Sequence, residues 1–233
     1  MSGFSLGWDV SYSDASSREP EWPFSDLVRL VRRYAPWINS DTRVLELGFG
    51  VGANIPFIES TGAQYFGIEG SQSAVERAKS RFPHLVDSLI CGDFTERRFA
   101  TNVDIIIDRS SVTHNETLDI ERTLRLCAQS MSPQGVYLGV DWFSDQHEDA
   151  QRGLQLDQWT RHCIPSGQFK GLGAVHFSSI QHLHNIFSNA GLEIVSLESK
   201  VRHRIVPEPS CHATFDLVAM QHALPTFALH DGN

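Results

Sequence analysis

The sequence predicts a single doubly wound α/β domain whose sheet is mostly parallel. Three observations carry that expectation. From Arg43 onward, short apolar segments alternate with segments of helical periodicity, the pattern of parallel strands buried between two layers of helices. The first apolar segment runs into a glycine-rich turn, Gly48-Phe49-Gly50-Val51-Gly52-Ala53, which reads as a strand-to-helix connection. Near the end, two strand-like segments follow each other with only a Pro-containing loop between them, and consecutive strands joined in this way pair antiparallel.

The elements follow in order. Leu27, Leu30, Val31 and Tyr34 recur at three-and-four spacing, so 24–34 is a helix, with Ser25 as its N-cap and Pro36 as its stop. Residues 44–47 form the first strand, and a short helix follows the glycine turn. A strand over 64–69, a helix over 73–81, a strand near 86–91 and the apolar strand 103–107 come next. A helix over 117–130 and a strand over 135–140 complete the regular alternation. After Trp142 about 35 polar, glycine- and histidine-containing residues intervene. A helix over 180–189, capped by Ser178 or Ser179, then precedes strands over 192–200 and 214–220.

Composition narrows the function. A chain of 233 residues with 41% hydrophobic content suits one domain with a large core. The net charge of -9 argues against nucleic-acid binding, which needs a basic surface, and favours a small-molecule substrate. No apolar run reaches the length of a membrane span, and the first residues lack the basic and apolar regions of a secretory signal, so a cytoplasmic location is expected. Cys91, Cys127, Cys163 and Cys211 show no C-x-x-C pair and suggest neither zinc nor disulfides. His147, Asp149, Asp157 and His162 match no metal-ligand spacing, so no metal is expected.

The glycines also satisfy a dinucleotide fingerprint, and Glu46 decides against it. A carboxylate two residues before Gly48 repels a pyrophosphate and favours an ammonium group. That points to a ligand with an amino-acid end, such as S-adenosylmethionine. The run from Glu46 to Gly52 resembles the first motif of the class I S-adenosylmethionine-dependent methyltransferases, an acid followed by G-x-G-x-G. The resemblance covers roughly residues 40–222 and implies a seven-stranded, Rossmann-like sheet with an antiparallel last strand, releasing S-adenosylhomocysteine as product. It places Glu46, Gly48, Gly50 and Gly52 around the amino-acid end, Glu69 and Gly70 at the ribose, and Asp93 with Phe94 at the adenine.

The resemblance further implies a methyl acceptor beyond the fourth and fifth strands, most readily a hydroxyl. His114 is the candidate general base or substrate ligand, unless it caps the helix that follows. Asp108 and Arg109 are candidates for cofactor or substrate contact. They also suit a mutual ion pair, and Arg109 suits a clamp on an anionic substrate. Residues 143–177 read as a lid or substrate insertion in which His176 is the candidate substrate contact. Residues 1–40 form an arm and helix over the cofactor, with Tyr12 either reaching its carboxylate or anchoring the arm, and residues 223–233 form a tail. Two alternatives remain at this level: a nicotinamide-dependent oxidoreductase, disfavoured by the absence of any Tyr-x-x-x-Lys pair, and an S-adenosylmethionine-binding module without catalysis.

Overall fold

A computed structural model describes residues 6–13, 20 and 22–222, so the expected tail at 223–233 lies outside the described residues. The main sheet has seven strands: β1 (Arg43–Leu47), β2 (Gln64–Glu69), β3 (Leu89–Cys91), β4 (Val103–Arg109), β5 (Met131–Phe143), β9 (Leu192–Arg204) and β10 (Ser210–Gln221). Their spatial order is β3-β2-β1-β4-β5-β10-β9. The first five pair in parallel, and β10 enters between β5 and β9 antiparallel to both. The doubly wound sheet and its antiparallel ending are therefore as the sequence predicts.

One face buries Leu27, Leu30 and Val31 of α2 (Ser25–Tyr34) with α3 (Ile55–Glu59) and α4 (Gln72–Arg81). The other buries Ile120, Leu124 and Cys127 of α5 (Thr117–Ser130) with Leu183, Ile186 and Phe187 of α6 (Ile180–Asn189). Both faces of the central strands are covered, which is why β4 reads as an almost unbroken apolar run. Ser179 caps α6, its hydroxyl accepting the amide of His182. Ser25 does not cap α2. Phe24 holds the N-cap position, its amide donating to Asn54 Oδ1 and its ring lying under the Arg109 guanidinium at 3.9 Å.

The glycine turn passes through successive turns over 50–54 into the short helix that the sequence predicts, which has only five residues and so carries no long helix dipole. The third strand is shorter than expected because residues 86–88 form a turn that continues the 3₁₀ turn Pro83–Leu85.

The insertion is ordered. It adds β6 (Leu154–Gln155), β7 (Thr160–His162) and β8 (Val175–His176) as a small antiparallel sheet. Phe143, Ala150, Ile164, Phe169, Val175 and Phe177 give it a core of its own. The Asp157 carboxylate fastens it, accepting the amides of Trp159 and Thr160 and, from the main domain, that of Thr117 at the start of α5. Among the described residues, no helix is long and apolar enough to cross a membrane.

Candidate active site

The carboxyl ends of β1, β2, β4 and β5 open on one cavity of about 380 Å³, within the range of small-molecule sites. It runs from Gly70, Asp93 and Phe94, past Glu69, Glu46 and the glycine loop, to Arg109, His114, Phe169 and His212. Parallel topology explains the convergence, because it brings every strand end to the same edge.

Gly48 and Gly50 line this cavity. A Cβ on Gly48 would fall 2.4 Å from Ser111 Cβ, so the missing side chain is what lets the loop after β4 pack on the loop after β1. Gly52, expected at the cofactor, instead faces inward. Its Cβ position, at φ +83°, is crowded by Ile55 and Phe82, so this glycine serves packing behind the loop. Tyr12 lies on α1 (Leu6–Ser13), with its hydroxyl directly over Gly50. The helix is tied down by Asp9, which accepts from Ser71 Oγ at 2.6 Å and the Ser73 amide at 3.0 Å at the start of α4.

Glu46 is buried, accepting from Asn54 Nδ2 at 2.7 Å and Tyr65 Oη at 2.5 Å. Burial pushes its carboxyl up to about 7 despite those two donors, with the negative charges of Glu69 and Asp108 adding to the effect. Glu69 is likewise buried and raised, while the amides of Gly50 (2.9 Å) and Ser71 (2.8 Å) bind one oxygen each. Asp93 holds Thr95 through its amide and hydroxyl at 2.8 and 2.7 Å, with Phe94 beside it in the wall. Among the described residues lining the cavity, Glu46, Glu69, Asp93 and Asp141 are acids and Arg109 is the single Lys or Arg. Such a site favours a cationic ligand and disfavours a pyrophosphate. S-adenosylmethionine, which carries a sulfonium and an ammonium, fits this donor set.

Asp108 and Arg109 separate. Asp108 is fully buried outside the cavity wall, where Oδ1 accepts the amides of Ser111 and Val112 and Oδ2 accepts from Tyr137. It shapes the loop after β4 and touches neither expected ligand. Arg109 does not pair with it. Its Nη2 donates to Asp141 Oδ2 at 3.1 Å, and its Nε is buried without a partner. Asp141, at φ +57°, is held by Lys200 at 2.7 Å and through its amide by Asp216 at a bulge in β10. Asp26, Asp141 and Asp216 form the one metal-like cluster among the described residues, and the Lys200 ammonium contacts all three. The metal candidates His147, Asp149, Asp157 and His162 form no such group.

His114 lies at the far end in a short 3₁₀ turn, Val112–His114. Its Nδ1 is 3.2 Å from the Ala174 carbonyl, which can only accept, so Nδ1 carries the proton and Nε2 keeps its lone pair. Trp8, Phe143 and Phe169 present edges or faces to the ring. Burial lowers its pKa to about 4, well below the ordinary histidine value. His176, by contrast, is fully buried away from the cavity. Thr160 Oγ1 meets Nδ1 and His182 Nε2 meets Nε2, both at 3.1 Å, and burial lowers the pKa to about 3. It is a core histidine of the insertion. Phe24, Asn54, Gln168, Phe169 and His212 also line the cavity; Asn54 closes the glycine turn and Gln168 and Phe169 lie in the expected insertion, whereas Phe24 and His212 carry no motif.

A profile of the methyltransferase-domain family (Methyltransf_23) matches residues 20–197. No curated protein matches the chain. Among solved structures, the chain is similar to one concerned with the conversion of a disulfide bond into a thioacetal group during echinomycin biosynthesis. The identity is 17% over 94% of this chain and 93% of that one, with a TM-score of 0.66. It is similar to the CcbJ methyltransferase of Streptomyces caelestis at 14% identity, covering 96% of this chain and 100% of that one, with a TM-score of 0.65. A third similarity is to phosphoethanolamine N-methyltransferase 2 of Haemonchus contortus in complex with phosphomonomethylethanolamine and S-adenosylhomocysteine. There the identity is 13%, covering 87% of this chain and 54% of that one, with a TM-score of 0.61. At these identities the likeness is one of fold.

Proposed function

The chain belongs to the methyltransferase-domain family and uses S-adenosylmethionine as methyl donor, and from this premise we propose that it methylates a hydroxyl of a small-molecule acceptor placed beside His114. The observation that carries the proposal is the continuity of the cavity from Glu69 and Asp93 to a histidine whose Nε2 keeps its lone pair. The family match sets aside the oxidoreductase alternative. The polar groups at the far end of the cavity count against a module without catalysis.

In this reading Glu69 holds the ribose hydroxyls, Asp93 and Phe94 receive the adenine, and Glu46 faces the ammonium. Gly48, Gly50, Gly70 and Tyr12 close around the ligand, and residues 1–40 form the arm over it. When bound, S-adenosylmethionine supplies a methyl group activated by the sulfonium. The protein aligns the acceptor oxygen and provides a base. His114 is neutral across the physiological range, so its Nε2 accepts the hydroxyl proton as that oxygen becomes acidic on methylation. The insertion 143–177 supplies the wall of the acceptor end. Four unpaired thiols, two of them exposed, accord with a reducing, cytoplasmic setting.

Calorimetric titration tests the cofactor site: S-adenosylmethionine and S-adenosylhomocysteine should bind and NAD should not. Binding of NAD alone would overturn the reading.

Glu46 adds a pH dependence whose sign follows from its raised pKa. Below about 7 the free protein holds Glu46 protonated, whereas the ammonium favours the carboxylate, so binding releases a proton. Affinity should therefore rise from about pH 5.5 to about pH 7 and then level, up to tenfold per unit for one fully linked proton. Calorimetry in buffers of different ionisation enthalpy reads the proton directly. A flat affinity without proton release would remove Glu46 from the ammonium.

A further inference from the structure

The acceptor end holds a second imidazole, and the structure fixes which of its nitrogens is available to a ligand. His212, on β10, lines the cavity across Phe143 from His114. The Phe143 ring stands edge-on to both, with centroids 5.6 Å from His114 and 6.5 Å from His212. The chain of hydrogen bonds behind His212 begins at a backbone amide. The Asp149 N–H lies 3.1 Å from His147 Nδ1, and an amide can only donate, so His147 Nδ1 must be bare. The Asp149 carboxylate is too far from that nitrogen, at 3.8 Å, to compete, and it is bound by Arg152 at 2.9 Å. His147 therefore carries its proton on Nε2, which lies 3.1 Å from His212 Nδ1. Gln168 Nε2 approaches the same nitrogen at 3.3 Å. His212 Nδ1 is thus an acceptor, and its own proton sits on Nε2.

The two imidazoles of the cavity are held in opposite tautomers. The Ala174 carbonyl makes His114 Nε2 an acceptor, while His147 and Gln168 make His212 Nε2 a donor. Ala174, His147 and Gln168 all belong to the insertion, so one segment sets the hydrogen-bonding polarity of both walls. Between the two stands the Phe143 ring, with Phe169 packed against it and against His114, and Trp8 also against His114. Burial lowers the pKa of His147 to about 4 and also lowers that of His212, so the relay is neutral in both members.

We infer that His212 orients the methyl acceptor, donating from Nε2–H to an uncharged oxygen of a hydroxylated aromatic substrate whose reacting hydroxyl faces His114. The inference rests on the reading of this end of the cavity as the acceptor side. It adds the substrate class, a neutral ring bearing a hydroxyl and a separate hydrogen-bond acceptor. A purely cationic group offers no acceptor to the His212 N–H, and a purely anionic group offers no donor to the His114 lone pair, so neither satisfies both imidazoles.

The tautomer can be read without a substrate. In protein labelled with ¹⁵N-histidine, the resonances lost in His212→Gln identify His212, and they should show a protonated Nε2 and a bare Nδ1. The double variant His147→Leu/Gln168→Leu, which removes both donors, should produce a mixture of the two tautomers. Binding is read with a matched pair of probes, 4-hydroxyacetophenone and 4-ethylphenol, titrated into the S-adenosylhomocysteine complex. The ketone should bind about two- to tenfold more tightly, the span of one neutral hydrogen bond. His212→Phe should erase the preference, and His212→Gln, which keeps a distal N–H, should restore it. A proton on Nδ1 of His212, a preference unchanged in His212→Phe, or binding of neither probe overturns the inference. Failure to bind S-adenosylhomocysteine would instead overturn the cofactor reading, while leaving the tautomer measurable.

Discussion

Replacing His114 by Ala should lower kcat by about 10²- to 10⁴-fold, the usual worth of a positioned general base, while the affinity for S-adenosylmethionine stays nearly unchanged. The separation of the two effects follows from geometry. His114 lines the part of the cavity proposed for the acceptor, beyond β4, and the ribose and adenine candidates Glu69 and Asp93 lie beyond β2 and β3. Its only side-chain hydrogen bond among the described residues, to the Ala174 carbonyl, leaves Nε2 to receive a proton. The pH profile is a sharper check than the rate alone. With the pKa lowered to about 4, the wild type should show no ascending limb of kcat near the ordinary histidine value, and any limb owed to His114 should fall near pH 4. A kcat for His114→Ala within about threefold of wild type would take this residue out of the chemistry, since loss of a working base costs at least about 10²-fold.

The strands and helices were legible because their signals are local. Period-two and period-3.6 patterns survive in the sequence whatever the rest of the chain does, and the ranges 64–69, 117–130 and 180–189 match the structure to the residue. Glu46, Glu69 and Asp93 came from the motif resemblance, and their meeting at one cavity has a topological reason: a parallel sheet gathers its carboxyl ends at one edge. The pairing of Asp108 with Arg109 failed on a rule that was available: adjacent strand residues point to opposite faces. Asp108 goes under the loop toward Tyr137, and Arg109 goes over Phe24 toward Asp141. The remainder of the acceptor end was out of reach. Arg109, Asp141, Lys200 and Asp216 meet from separate strands, and His212 meets His147 across 65 residues. No pattern in a single sequence encodes such encounters. The lowered pKa of His114 was equally out of reach, because the rings that bury it, Trp8, Phe143 and Phe169, come from α1, β5 and the insertion.

Replacing Glu69 by Ala should weaken S-adenosylmethionine binding by about 10- to 150-fold, corresponding to charge-assisted hydrogen bonds worth about 1.5–3 kcal/mol. Two causes contribute and must be separated. One is the loss of the carboxylate that accepts the ribose hydroxyls. The other is the loss of the group that holds the Gly50 and Ser71 amides at 2.9 and 2.8 Å, one of which belongs to the glycine loop itself. Glu69→Gln is no control here, because each carboxylate oxygen already accepts an N–H, and the amide NH₂ would confront one donor with another. A cycle that varies the ligand isolates the ribose contact. Wild type should bind S-adenosylhomocysteine more tightly than its 2′-deoxy analogue, and Glu69→Ala should bind the two alike, whatever its loop has lost. If the variant still discriminates between them as strongly as wild type does, Glu69 supports the loop and another group receives the ribose.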